Sequence, residues 1–216
     1  MPLPAASEEN KMTKIKVCGL TRMEDIQAVN EAMPDYCGFV INVEKSRRNC
    51  SPLLVKEMVC RLDKRILPVG VFVNAPLRLP TLLLREGTIA MAQLHGQEDE
   101  AYVRELQKAS HCPVIKAFSV KTSRDVEKAL KSPADYILLD QGAGGTGKTF
   151  DWSLVPEIER PFFLAGGLGT ENLEEAVARL KPWAVDLSSS LETDGRKDPE
   201  KIKAAIDMVR KMGKDN

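Results

Sequence analysis

The chain has few histidines, no paired cysteine motif and no long apolar run, and each shortage removes a class of function. Only His95 and His111 occur among 216 residues, and neither stands at metal-ligand spacing from a cysteine, which argues against a structural zinc site. The cysteines, Cys18, Cys37, Cys50, Cys60 and Cys112, are odd in number and include no CxxC, so free thiols are expected rather than a disulfide framework. No segment approaches the roughly 20 consecutive apolar residues of a membrane-spanning helix. Lysine plus arginine balances aspartate plus glutamate at 31 each, which leaves no net charge to attract nucleic acid or an anionic membrane. Gly/Ser linkers and low-complexity stretches are also missing, so a single domain is expected.

Residues 1–13 lack the basic segment and apolar core of a secretory leader and read as a disordered N-terminal extension. The folded domain is expected over 14–216. With its free thiols, the chain is expected to be cytoplasmic.

What is present is a repeat of eight short apolar runs: Ile15–Cys18, Tyr36–Ile41, Leu67–Val73, Ala90–Leu94, Val114–Phe118, Tyr136–Asp140, Phe162–Ala165 and Ala184–Leu187. They are rich in Val, Ile, Leu and Phe and alternate little, as strands buried on both faces do. Apolar stripes at helical spacing fall between them, such as Ile26, Val29 and Met33, or Ile202, Ala205, Ile206 and Val209. Pro52 and Pro199 sit where a first-turn proline is welcome, whereas Pro80 makes 77–86 the weakest helix. Strand, loop and helix repeated eight times predict an α/β fold, a single (β/α)8 TIM barrel, with two open-sheet halves as the alternative. In a barrel the C-terminal strand ends converge on one mouth, and function is expected there.

Several runs stop at reactive residues. Cys18 is either a small buried hydrophobe or, at a barrel mouth, a thiolate of depressed pKa able to take a proton beside an imine or carbonyl. Asp140 either starts a loop or serves as a general acid kept protonated by a partly apolar setting. Gly166 and Gly167 after the seventh run, and Ser188 and Ser189 after the eighth, stand where such barrels grip a phosphate through backbone amides. Arg48 is either a solvated loop arginine or a bidentate clamp on a carboxylate. His95 either orients substrate or satisfies a neighbouring backbone group.

Gly142 to Thr149 matches a phosphate-binding loop pattern, with Lys148 and Thr149 in the positions that hold phosphate and Mg²⁺. That motif must open a long helix, yet Pro156 follows within two turns, and the rest of the chain is too short for the sheet that normally succeeds it. A loop over the pocket is the expected role. Mg²⁺-dependent ATP binding sensitive to Lys148→Ala would restore the nucleotide reading.

Lys16-Val-Cys-Gly-Leu-Thr21, Ser46-Arg-Arg48, Gln93-Leu-His-Gly96, Leu139-Asp140 with Gly144-Gly-Thr-Gly-Lys-Thr-Phe-Asp-Trp152, Leu164-Ala-Gly-Gly167 and Asp186-Leu-Ser-Ser189 occur in one order. Taken together, the chain resembles the phosphoribosylanthranilate isomerases of tryptophan biosynthesis from about residue 14 to the C-terminus. The resemblance implies an Amadori rearrangement of N-(5-phosphoribosyl)anthranilate, an aldose–ketose isomerisation with no metal or organic cofactor. It implies Asp140 as general acid, Cys18 as base at C2′, and Arg48 on the anthranilate carboxylate. His95 and Asp186 would contact substrate, and Gly166, Gly167, Ser188 and Ser189 would hold the phosphate. The partner implied is a small phosphosugar, with no nucleic acid or membrane; monomer and homodimer both stay open.

Three positions depart from the family pattern: Ser190 for a glycine, Asn42 for an aromatic and Arg47 for a proline. If Ser190 must adopt a positive φ, it costs roughly 1–2 kcal/mol. A phosphosugar-binding barrel without catalysis is the competing class, and it would bind a product analogue without turnover. A related indole-glycerol-phosphate synthase is disfavoured, because its catalytic lysine pattern is not visible.

Overall fold

The computed structural model describes residues 12–141 and 151–213. Most of the expected N-terminal extension and nearly all of the glycine-rich loop, Lys148 included, lie outside them. Eight strands form the barrel: β1 (Lys14–Cys18), β2 (Tyr36–Ile41), β3 (Leu67–Phe72), β4 (Met91–Leu94), β5 (Val114–Ser119), β6 (Tyr136–Asp140), β7 (Phe162–Leu164) and β8 (Ala184–Leu187). Each pairs in parallel with the next, and β1 closes the ring against β8, with Lys16 opposite Asp186. The connecting α-helices are α1 (Met23–Ala32), α2 (Pro52–Val59), α3 (Arg78–Arg85), α4 (Glu100–Ser110), α5 (Ser123–Leu130), α6 (Leu173–Leu180) and α7 (Pro199–Met212).

Local chemistry sets the helix boundaries. Ser51 Oγ accepts from Leu54 N at 3.2 Å and Pro52 opens α2; Asp198 accepts from Glu200 N and Lys201 N, with Pro199 opening α7. Asp25 and Asp125 turn back onto the N-terminal amides of α1 and α5.

Two expectations need correction. Pro80 does not interrupt α3, because it falls in the first turn, where its missing N–H would have had no helical partner. Between β6 and β7, the described residues contain a single 3₁₀ turn, Trp152–Leu154, in place of a sixth α-helix. Pro156 and Pro161 leave too little chain free of proline for a longer one. No helix among the described residues is long and apolar enough to cross a membrane.

The strands separate two cores by parity. Ile15, Val17, Phe39, Ile137, Leu139, Val185 and Leu187 face outward into the helical shell. Tyr36, Val69, Met91, Ile115, Tyr136, Leu138, Phe163 and Ala184 fill the barrel interior. Aromatic edges close its lower part: Phe163 meets Tyr36 and Tyr136 at centroid distances of 5.4 and 5.7 Å, and Trp183 Nε1 donates to the Tyr36 hydroxyl. The polar residues of the next inward layer therefore stand on a dry floor at one end of the barrel.

Candidate active site

Parity brings the chemistry together. Counting by twos from interior positions, Ala184 leads to Asp186 and Leu138 leads to Asp140, while Lys16 and Cys18 share the inward face of β1. Lys16 is fully buried, and its Nζ lies 2.7 Å from Asp186 Oδ2. A Cβ on Gly38 of β2 would fall 2.6 Å from Cys18 Sγ and 3.1 Å from Lys16 Nζ, so glycine there leaves the room that both groups occupy. Asp186 Oδ1 is buried with no hydrogen-bond partner among the described residues, an acceptor left for a ligand.

The thiolate is not simply favoured. Burial pushes the Cys18 thiol above its ordinary value, and Asp186 adds to that; Lys16, through its charge and a hydrogen bond, and Lys197 pull the other way. This corrects the expectation of a depressed value. Lys16 stays charged: burial works against it, but Asp186 and Cys18 together raise its pKa.

Asp140, at the end of β6, is buried and faces the imidazole of His95, with Oδ2 3.3 Å from Nε2. Gln93 Nε2 lies 3.1 Å from His95 Nδ1. With the amide donating to Nδ1, the ring proton resides on Nε2 and is directed at Asp140. Gly166 packs against this carboxyl. Its φ is +86°, and a Cβ there would come 2.5 Å from Asp140 Oδ1 and 2.7 Å from Gln141 N, so neither the backbone nor the space admits a side chain. Gly167 follows at φ +65°.

Arg48 crosses Gly19, where a Cβ would collide with its side chain. Its guanidinium is already held by Glu192, Nε to Oε1 at 2.6 Å and Nη2 to Oε2 at 3.0 Å. A carboxylate ligand thus meets the end of the guanidinium rather than its Nε side, which narrows the expected clamp. Glu192 also accepts from Arg47 and from Lys197, and Lys197 Nζ donates to Ser188 O at 2.8 Å. Ser188 Oγ in turn donates to Cys18 O at 3.0 Å. Ser189 and Ser190 lie in a short 3₁₀ turn, and Ser190 does not adopt a positive φ, so the anticipated strain is not there. Asn42 does adopt one, at +54°, a conformation asparagine tolerates better than an aromatic. Arg47 has a role of its own as a second arginine on Glu192.

Sequence reasoning missed Lys16, Gln93, Glu192 and Lys197 as site residues. Lys16 had a readable signal, a lysine two positions before Cys18 within an apolar strand. Glu192 and Lys197 had none, since only the folded chain brings them to Arg48.

Enzymes on this fold place their chemistry at the C-terminal ends of the strands, where this chain concentrates buried ionisable groups it does not need for packing. It is a (β/α)8-barrel enzyme. The family model described as N-(5′-phosphoribosyl)anthranilate (PRA) isomerase matches residues 15–208, and the chain belongs to that family. An N-(5′-phosphoribosyl)anthranilate isomerase of Endomicrobium trichonymphae is 43% identical over 205 residues, covering 93% of this chain and 100% of that one. The crystal structure of phosphoribosyl anthranilate isomerase from Thermotoga maritima superposes with a TM-score of 0.84 at 36% identity, covering 93% of this chain and 100% of the other. A further isomerase structure, in complex with reduced 1-(o-carboxyphenylamino)-1-deoxyribulose 5-phosphate, gives 0.78 at 32% identity, with coverage of 93% and 100%.

Proposed function

We propose that this chain isomerises N-(5′-phosphoribosyl)anthranilate to 1-(2-carboxyphenylamino)-1-deoxyribulose 5-phosphate, a step of tryptophan biosynthesis, by general acid–base catalysis. The observation that carries the mechanism is the inward projection of Cys18 from β1 and Asp140 from β6 at one barrel mouth. Asp186 stands between them on β8, its carboxylate paired with the Lys16 ammonium.

Asp140, as the acid, protonates the furanose ring oxygen. The C1′–O bond breaks as the anthranilate nitrogen supplies its lone pair, giving a protonated Schiff base. The Cys18 thiolate then removes the C2′ proton, and the electrons of that C–H bond move into the imine to form an enolamine. Loss of the 2′-hydroxyl proton and protonation at C1′ complete the ketone. The imine is the electron sink, so a modest base suffices. His95 Nε2–H steadies Asp140 after it has given up its proton, and Asp186 Oδ1 accepts from a sugar hydroxyl. Gly166, Gly167, Ser188 and Ser189 hold the phosphate, remote from the reacting carbon, where binding energy is spent on positioning. The end of the Arg48 guanidinium takes the anthranilate carboxylate. With five unpaired thiols, the protein belongs in the reducing cytoplasm.

Cys18→Ala and Asp140→Asn should each lower kcat by about 10²–10⁴, measured by loss of phosphoribosylanthranilate fluorescence. Near-wild-type turnover in either variant would refute the assignment.

A further inference from the structure

We propose that Lys16 is a positioning residue for the base: its ammonium, tethered by Asp186, sets the protonation of the Cys18 thiol without touching substrate. The inference rests on Cys18 being the base and adds the group that makes a thiolate tenable in a buried place.

Four observations carry it. Lys16 and Cys18 lie two residues apart on β1 and face the same way, so their side chains are neighbours. Gly38 on the adjacent strand leaves the space in which Sγ and Nζ meet. Asp186 fixes Nζ at 2.7 Å from the opposite strand, which prevents the long side chain from leaving. Finally, a fully buried ion pair is a poor source of stability, because desolvation offsets most of the attraction, so burying this lysine calls for a different reason. Other groups around the thiol do not replace it. Cys37 on β2 is neutral, its own thiol pushed up by burial. Asp186 on β8 opposes the thiolate, and Lys197 assists it less than Lys16 does. Arg48, which passes over Gly19, is engaged by Glu192. Asp140 and His95 face each other from β6 and the end of β4.

The test is the pH dependence of iodoacetamide alkylation at Cys18 in the full-length protein, read on the Cys18 peptide by mass spectrometry so that the other thiols do not contribute. Lys16→Met should move the midpoint upward by about one pH unit or more, the effect expected of removing a cation in contact. The ascending limb of kcat/KM should move with it. An unchanged or lower midpoint in the folded variant overturns the proposal. If Lys16→Met does not fold, Lys16→Met/Asp186→Asn keeps the shape and removes both charges. Its midpoint should still lie above wild type, by less than for the single change, and an unchanged or lower one again overturns the proposal. The two readings fail separately. Full turnover by Cys18→Ala would remove the base assignment and leave the alkylation shift intact; a static midpoint would remove Lys16 and leave the base.

Discussion

Glu192 gathers Arg47, Arg48 and Lys197 onto one carboxylate, and the purpose of that convergence lies in what the cations do next. Burial alone would raise the Glu192 carboxyl, yet Arg48 and Lys197 outweigh it and hold the group below its ordinary 4.5. The residue stays ionised and keeps Arg48 aimed while Lys197 braces Ser188. Glu192→Gln keeps the shape and removes the charge, so it should loosen the two grips proposed above, Arg48 on the anthranilate carboxylate and Ser188 on the phosphate. The expected outcome is a KM for phosphoribosylanthranilate about ten-fold higher, equivalent to about 1.4 kcal/mol, with a much smaller change in kcat; equal losses in both would mean that Glu192 acts at the chemical step. This cluster was invisible in the sequence because Glu192 and Arg48 are 144 positions apart and nothing in either segment refers to the other. Lys16 was different. Once Cys18 is placed facing inward, strand periodicity puts Lys16 inward too, and only the habit of reading lysine as a surface residue hid it.

At the level of elements, runs of apolar residues bounded by turns reproduce the strands closely. Tyr36–Ile41, Tyr136–Asp140 and Ala184–Leu187 coincide with the structure, and the seventh strand ends one residue earlier than expected, at Leu164. They were legible because parallel strands under helices must be apolar on both faces. Helices were less so. The expected start at 77 lies one residue from the observed Arg78, yet Pro80 looked like a breaker because its place in the first turn, where a missing N–H costs no helical bond, was not credited. Where a cap is written in the sequence, it holds: Ser51 before Pro52 starts α2 as its side chain demands. Ser51→Ala should therefore cost about 1 kcal/mol in urea unfolding and leave kcat/KM unchanged, since α2 contributes no group to the mouth.

Across the whole molecule, acid should be the chief enemy of stability. Asp125 and Asp198, which cap α5 and α7, are held below their ordinary 3.8 by the amides and hydroxyls they accept from, and Glu192 lies below 4.5. A carboxyl whose folded value is depressed contributes fully above its unfolded value and loses that contribution as pH falls through the folded one. The Tm followed by circular dichroism should be nearly flat from about pH 7 to 5 and drop once pH falls below about 4. Asp186 has the opposite sign, because burial raises it, and so moderates that drop rather than adding to it. Finally, the ring is joined where its first and last strands meet, and Lys16 and Asp186, 170 positions apart, form their pair across that join. A polypeptide cut short before β8 would carry Cys18 and Lys16 but neither the Asp186 carboxylate that tethers the ammonium nor the Ser188 hydroxyl that bonds Cys18 O. Such fragments would be chemically silent, and competence would arrive only once translation had passed β8.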